Sequence, residues 1–164
     1  MADQLLYYAS SATATITLAA LDSDDSLLDG RQSTVIANDS DLYLDYLVTG
    51  VITTASSGLS DNKNILIYLF AQTTDAPTYP AGLGATDADI TLGSTELRDA
   101  GLVLAAAMPT NDTASVAYGM SAVSVASCFG GVVPQRWGIF VVHDTQAAIA
   151  SGTVTYQGIY GTVS

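Results

Sequence analysis

The sequence predicts an all-β fold: a single-domain β-sandwich of jelly-roll type, with about eight strands and a long central loop region. Three observations carry that prediction. Apolar and small polar residues alternate at period two in several stretches. Short apolar runs are separated by polar, glycine-rich connections at an even spacing. No stretch sustains the 3.6-residue period of an amphipathic helix, and there is no fixed-length repeat or heptad pattern.

The elements follow in order. Residues 13–20 (TATITLAA) alternate cleanly and read as a strand, which the acidic stretch 22–25 breaks. Asp29-Gly30 is a turn signal, and residues 32–37 read as a second short strand. Residues 42–54 form a long β-rich run. Its alternation places Tyr43, Asp45, Leu47 and Thr49 on one face and Leu42, Leu44, Tyr46 and Val48 on the other, with a bulge or bend at Gly50. Residues 56–64 are a polar loop. Residues 65–70 (ILIYLF) are apolar on both faces, which predicts a central strand covered on both sides.

Residues 72–95 carry Pro77, Pro80, Gly82 and Gly84 and are expected to be a long excursion with a short strand at 89–92, of the kind that often makes interactions. Within 97–108, Arg98 to Gly101 reads as a turn before a strand, although Ala105 to Ala107 keep a helix open. Residues 121–128 have helix-compatible spacing but fit a strand better. Phe129-Gly130-Gly131 and Pro134 force a connection. Residues 137–143 and 153–163 are strands, joined by a loop or one helical turn.

A chain of 164 residues suits one domain, and with 49% hydrophobic residues it has material for a core. Residues 1–11 are a candidate N-terminal arm and 12–164 the sandwich. Cys128 is the single cysteine, so packing and not an intrachain disulfide must supply stability. A net charge of −12, from 16 acidic and four basic residues, opposes binding to phosphate backbones and to anionic membranes. No run approaches the roughly 20 apolar residues of a membrane helix. The opening Met1-Ala2-Asp3-Gln4 has no positive n-region, so no export address is expected.

The residue types of most catalytic sites are scarce. His143-Asp144 has no Gly-x-Ser-x-Gly nucleophile elbow, and His143 reads as a strand-end histidine near the surface or an interface. Cys128 lacks a neighbouring cation and reads as an inert thiol. One cysteine and one histidine do not complete a zinc site. Asp22, Asp24 and Asp25, with Asp29 close by, are a weak calcium candidate: Leu27 stands where a loop glycine is needed, and a solvated acidic turn is the simpler reading. Asp87 and Asp89 read as surface charge. The expectation is therefore a chain that is not an enzyme, with no catalytic residue, cofactor or firm metal site.

The nine tyrosines stand out, in the pairs Tyr7/Tyr8, Tyr43/Tyr46 and Tyr156/Tyr160. Tyrosine packs its ring while wetting its hydroxyl, which suits subunit interfaces, sugar grooves and ordinary cross-strand pairs alike. Leu5, Leu6, Tyr7, Tyr8, Tyr156 and Tyr160 are the interface candidates.

Phe129-Gly130-Gly131-Val132-Val133-Pro134, then Trp137-Gly138-Ile139, then Thr155-Tyr156-Gln157-Gly158-Ile159-Tyr160 form a pattern. With Asp39 to Asp45 and the apolar 65–70 run, it resembles virion structural proteins of tailed bacteriophages, of the jelly-roll capsid decoration or cement type. Residues 72–96 match that pattern least. The resemblance implies a homo-oligomer, a trimer by preference, made in the host cytoplasm. Such a protein binds the outer surface of the capsid and stabilises the lattice of the major capsid protein. The alternative is a carbohydrate- or receptor-binding jelly-roll module of a phage tail or fibre. Neither role implies nucleic-acid or membrane binding, and no catalytic residue transfers.

Overall fold

Two strands with apolar residues on both faces organise the molecule. In this computed structural model, which describes residues 4–75 and 78–163, β6 (Lys63–Ala71) and β10 (Arg136–His143) pair antiparallel in the middle of one sheet. Met1 to Asp3 of the candidate arm, Pro77 of the central excursion and Ser164 lie outside the described residues. β3 (Asp29–Gln32) and β4 (Ile36–Ala37) pair along the other side of β10. β7 (Ala88–Thr91) and β8 (Val103–Thr110) form the edges, so the order is β7-β3-β10-β6-β8. The second sheet runs β1-β11-β5-β9, from β1 (Gln4–Tyr8), β11 (Ser151–Val163), β5 (Asp45–Thr53) and β9 (Ala117–Ser124), with β2 (Ala12–Thr13) beside β11. All the pairings are antiparallel, and the chain is an all-β sandwich.

The alternation of each strand decides what lies between the sheets. Ile65, Ile67 and Leu69 from β6 and Trp137, Ile139 and Val141 from β10 meet Tyr46, Val48 and Ile52 from β5 and Val154 from β11. The opposite residues of β6 and β10 (Tyr68, Phe70, Phe140 and Val142) point to the other face of their sheet. There Leu83 and Leu92 of the central excursion cover them, together with Leu102 just before β8. The stretch expected to make outside interactions thus spends its apolar residues on its own sheet, which is why residues 65–70 read as apolar on both sides. Gly138 is required here: a Cβ would collide with the Phe70 ring, which lies against the β10 backbone.

Several boundaries depart from the sequence reading. Residues 13–20 keep their alternation, with Ala14 and Leu18 buried, yet form a ladder only at β2. Beyond it the segment crosses between sheets: Ala14 N–H donates to Val154 O, while Thr15 O accepts from Thr34 N–H. Burial alternates there, but no single neighbouring strand pairs with it. Asp29-Gly30, expected as a turn, lies within β3 and pairs with Thr91 and Ile90, so residues 32–37 hold only the end of β3 and the short β4. Residues 97–108 are part helix and part strand. Helix α1 (Thr95–Gly101), capped by the Ser94 hydroxyl accepting from Leu97 N–H at 3.3 Å, ends one residue before β8. The run 121–128 divides likewise into the end of β9 and the four-residue α2 (Val125–Cys128). Gly50 does lie at a register shift, between β5 and β9.

The N-terminal segment is a sheet strand rather than a free arm. β1 pairs residue for residue with the end of β11, from Tyr8↔Ile159 to Gln4↔Val163. Between that pairing and Ala12↔Tyr156 the segment gains one residue on its partner, a bulge at residues 9–11. β5 stops pairing at Asp45↔Ile159. Past that point β1 and β11 continue alone, as a two-stranded ribbon beyond the end of the sandwich.

Candidate functional site

The most distinctive arrangement is a row of aromatic rings leading from the core to this ribbon. Trp137 is fully buried in β10. Against it lie Tyr46 from β5, at 5.3 Å between ring centroids, and Tyr156 from β11, edge-on at 6.0 Å. Tyr43 packs edge-on against Tyr46 at 5.2 Å and lies 6.2 Å from Tyr160, which stacks on Tyr7 of β1 at 5.7 Å. The row follows the inward-facing positions 156, 158 and 160 of β11. Position 158 is glycine because the Tyr43 ring occupies its place: a Cβ would sit 2.6 Å from that ring.

Asn38 holds this arrangement. Its Oδ1 accepts from Tyr43 N–H at 2.8 Å and from the Tyr46 hydroxyl at 3.1 Å, and its Nδ2 donates to Tyr43 O at 3.0 Å. Burial pushes the Tyr46 phenol above its ordinary pKa, and the nearby Asp41 charge adds to that, so it remains a donor. Leu42 adopts a left-handed backbone (φ 51°). The chain also bends at Leu44 before β5 begins at Asp45, so Tyr43 joins Tyr46 on the inner face instead of sharing a face with Asp45. A recess of about 270 Å³ opens beside these rings, lined by Tyr43, Tyr46, Tyr156, Asp41 and the bulge residues Ala9 and Ser10.

Five of the six interface candidates come together at the ribbon. Leu5, Tyr7 and Tyr160 continue the inner face, and Leu6 and Tyr8 stand on the outer face. All five are exposed. Tyr156 is different: it is part of the packing around Trp137. The sequence reading missed Leu44, an exposed residue whose side chain lies beside Gly161 on the outer face. A glycine between large residues late in β11 was the available signal.

The other candidates do different work. His143 is fully buried, not near the surface, because β10 is an inner strand whose last residue still pairs with Ile65. Its Nε2 donates to Leu21 O at 3.0 Å, and its Nδ1 lies 2.9 Å from the Thr145 hydroxyl. Burial pushes its pKa down, with Leu21, Asp144 and Asp22 pulling the other way. Burial pushes the half-buried Cys128 thiol up, and the Asp45 charge adds to the rise. All four basic side chains are ion-paired: Arg31 with Asp87 and Asp89, Lys63 with Asp25 and Asp144, Arg98 with Asp99, and Arg136 with Asp39.

The acidic turn uses its oxygens internally. Asp24 accepts from Ser26 N–H (3.1 Å), the Ser26 hydroxyl (2.7 and 2.6 Å), Leu28 N–H (2.7 Å) and Asp29 N–H (2.9 Å). Burial alone would raise its pKa, but these bonds outweigh burial and hold it well below the carboxylate range. Asp25 takes Lys63 and Gln146. Among the described residues no three His, Cys, Asp or Glu side chains group as metal ligands. Asp24→Ala is expected to cost about 1–3 kcal/mol by orphaning three backbone donors, measured by urea denaturation. Millimolar calcium is expected to leave the melting temperature of the wild-type chain unchanged. A calcium-dependent rise would return these acids to the role of ligands.

Leu5, Leu6, Tyr7, Tyr8, Leu44 and Tyr160 thus form an exposed apolar cluster at the ribbon. No helix among the described residues is long and apolar enough to cross a membrane. Comparison with protein-family models, with curated proteins and with solved structures finds no match to this chain.

Proposed function

We propose that this chain works by attachment rather than turnover, as a decoration protein that binds and stabilises the major capsid protein lattice on the outer surface of a tailed-bacteriophage capsid. The observation that carries the reading is the ribbon: apolar, exposed on both faces, and anchored through the aromatic row to the buried Trp137. Exposed apolar clusters of this kind mark interaction surfaces. The virion setting comes from the resemblance in residues 129–160, and the acidic remainder of the surface suits a protein that must stay soluble until it docks.

The strand order supports a jelly roll. Taking β1 with β2, and β3 with β4, as single strands and leaving β7 aside, eight strands remain. The first pairs with the last, the second with the seventh, the third with the sixth and the fourth with the fifth. That is one long hairpin rolled into two sheets. Repeated copies on a lattice would convert several modest contacts into one firm attachment.

The test is the copy number in purified virions of the encoding phage, by quantitative mass spectrometry against the major capsid protein. Hundreds of copies are expected. A handful would place it in the tail or connector, and absence would overturn the virion reading. The tyrosine-lined recess with Asp41 favours a second reading, a carbohydrate- or receptor-binding module of a tail or fibre. Saturable glycan-array binding that is lost in Asp41→Ala would favour it over decoration.

A further inference from the structure

We propose that two copies of this chain pair through β1, antiparallel and edge to edge, so that the sheet β1-β11-β5-β9 of one protomer continues into the same sheet of its partner. The inference deepens the reading of the ribbon as an attachment surface and rests on it.

The first argument is the state of the strand edges. Exposed edges are normally blunted by charge, proline, bulges or shortness. β7 is four residues long and carries Asp89, ion-paired to Arg31 at 2.8 Å. β8 contains Pro109 and shifts register against β6. β9 shifts register against β5 and runs directly into α2. β1 carries neither charge nor proline: its sequence is Gln-Leu-Leu-Tyr-Tyr, its register with β11 is unbroken over five residues, and the bulge follows only after Tyr8. Its outer edge has no strand partner among the described residues. A two-stranded ribbon is marginal by itself, and adding strands is what stabilises it.

The second argument is area. Leu5, Leu6, Tyr7, Tyr8, Leu44 and Tyr160 are 47%, 67%, 43%, 61%, 59% and 37% exposed. An edge-to-edge partner covers the part of this apolar surface that β1 carries, with Leu6 and Tyr8 on one face and Leu5 and Tyr7 on the other.

Charge chooses the occupant. Two copies at −12 each repel over most of their surfaces, but residues 4–8 and 159–163 contain no charged side chain. This uncharged end is where like copies approach without penalty, and it offers nothing specific to a basic partner. Pairing of one edge with its own copy obeys a two-fold axis. The assembly unit is then a dimer, in place of the trimer that the resemblance implies. A three-fold contact would need β1 to meet a different edge, and each of those is blunted.

Sedimentation equilibrium of the full chain tests this. The expected mass is twice the 16.9 kDa protomer. The double variant Leu6→Lys, Tyr8→Lys is expected to weaken the dimer by roughly 100-fold or more, since four unpaired charges, two from each protomer, would enter its centre. Hydrogen exchange of the wild-type chain is a second readout that needs no variant: the outward-facing amides of Leu6 and Tyr8, which alternate with those directed at β11, should gain protection with rising protein concentration, while amides in β6 do not change. A monomer, a trimer, a mass unaffected by the double variant, or amides of Leu6 and Tyr8 that ignore concentration would each overturn the proposal. Capsid binding is scored separately. A monomer that still coats capsids sinks the dimer alone, whereas a β1-dependent dimer that is absent from virions sinks the decoration reading alone.

Discussion

Trp137→Ala is expected to lower the unfolding free energy by about 3–5 kcal/mol, the usual cost of truncating a large buried aromatic. For a domain of this size that corresponds to a fall in Tm of roughly 10 °C or more. The reason is position. Trp137 is fully buried between the sheets and is the inner end of the aromatic row, in contact with Tyr46 and Tyr156. Removing the indole leaves a cavity that two-sided β packing does not readily close, because the strands on either side are locked by their ladders. Trp137→Phe separates packing from polarity. The indole Nε1 finds no hydrogen-bond partner among the described residues. Phenylalanine therefore loses volume but also removes an unpaired buried donor, and its cost should be well below that of alanine. Urea denaturation of the three proteins measures both differences. An alanine variant within about 1 kcal/mol of wild type would show that the row does not depend on Trp137.

Stability is expected to fall as the pH drops below about 6.5, and His143 is the cause. Its folded pKa is depressed, by burial first. Above the unfolded value neither state holds the proton, and stability is flat. Below it the unfolded chain takes up a proton that the folded chain refuses. Stability then declines by up to about 1.4 kcal/mol per pH unit until the depressed folded pKa is reached. Asp24 and Asp87 act in a separate window. Both have lowered folded values, Asp87 through Arg31 and Thr17 against its burial, so their contribution is lost only as the pH falls through and below the carboxylate range. His143→Gln should be less stable than wild type at neutral pH, because it gives up the bonds to Leu21 and Thr145. Its stability should be flatter between about pH 6.5 and the carboxylate range. Urea midpoints of both proteins across that range check this. Parallel curves would mean that another group carries the dependence.

Particular residues show what kind of information the sequence holds. The ILIYLF run at 65–70 was legible as a doubly covered strand because both of its faces are apolar, and the structure supplies two separate clusters for them. Alternation at 13–20 reported correctly which side faces inward, but not that the segment leaves its ladder after Thr13. Burial period and hydrogen-bond partner are different properties, and only the first is written locally. The face of Tyr43 was misread for a related reason: the chain bends at Leu44, so the alternation of β5 does not extend back through it.

The candidate surface was half legible. Tyr7, Tyr8 and Tyr160 stood out as members of tyrosine pairs, and Leu5 and Leu6 as part of the candidate arm, and they do lie together. The pairs that sequence adjacency suggested, Tyr7 with Tyr8 and Tyr156 with Tyr160, are not the pairs that meet. Tyr7 stacks on Tyr160 from the opposite end of the chain.

By itself, the sequence determined the all-β class, the inner strands, the absence of a nucleophile motif and the acidic surface, because composition and short-range period depend only on neighbours along the chain. Tertiary structure alone decided that the central excursion roofs its own sheet, that His143 is sealed in the core, and that the two chain ends join in one overhanging ribbon. The last two depend on contacts between residues more than a hundred positions apart, His143 with Leu21 and Tyr7 with Tyr160. No local pattern records them, because the free energy of such a contact is realised only when the rest of the sandwich brings its two halves together.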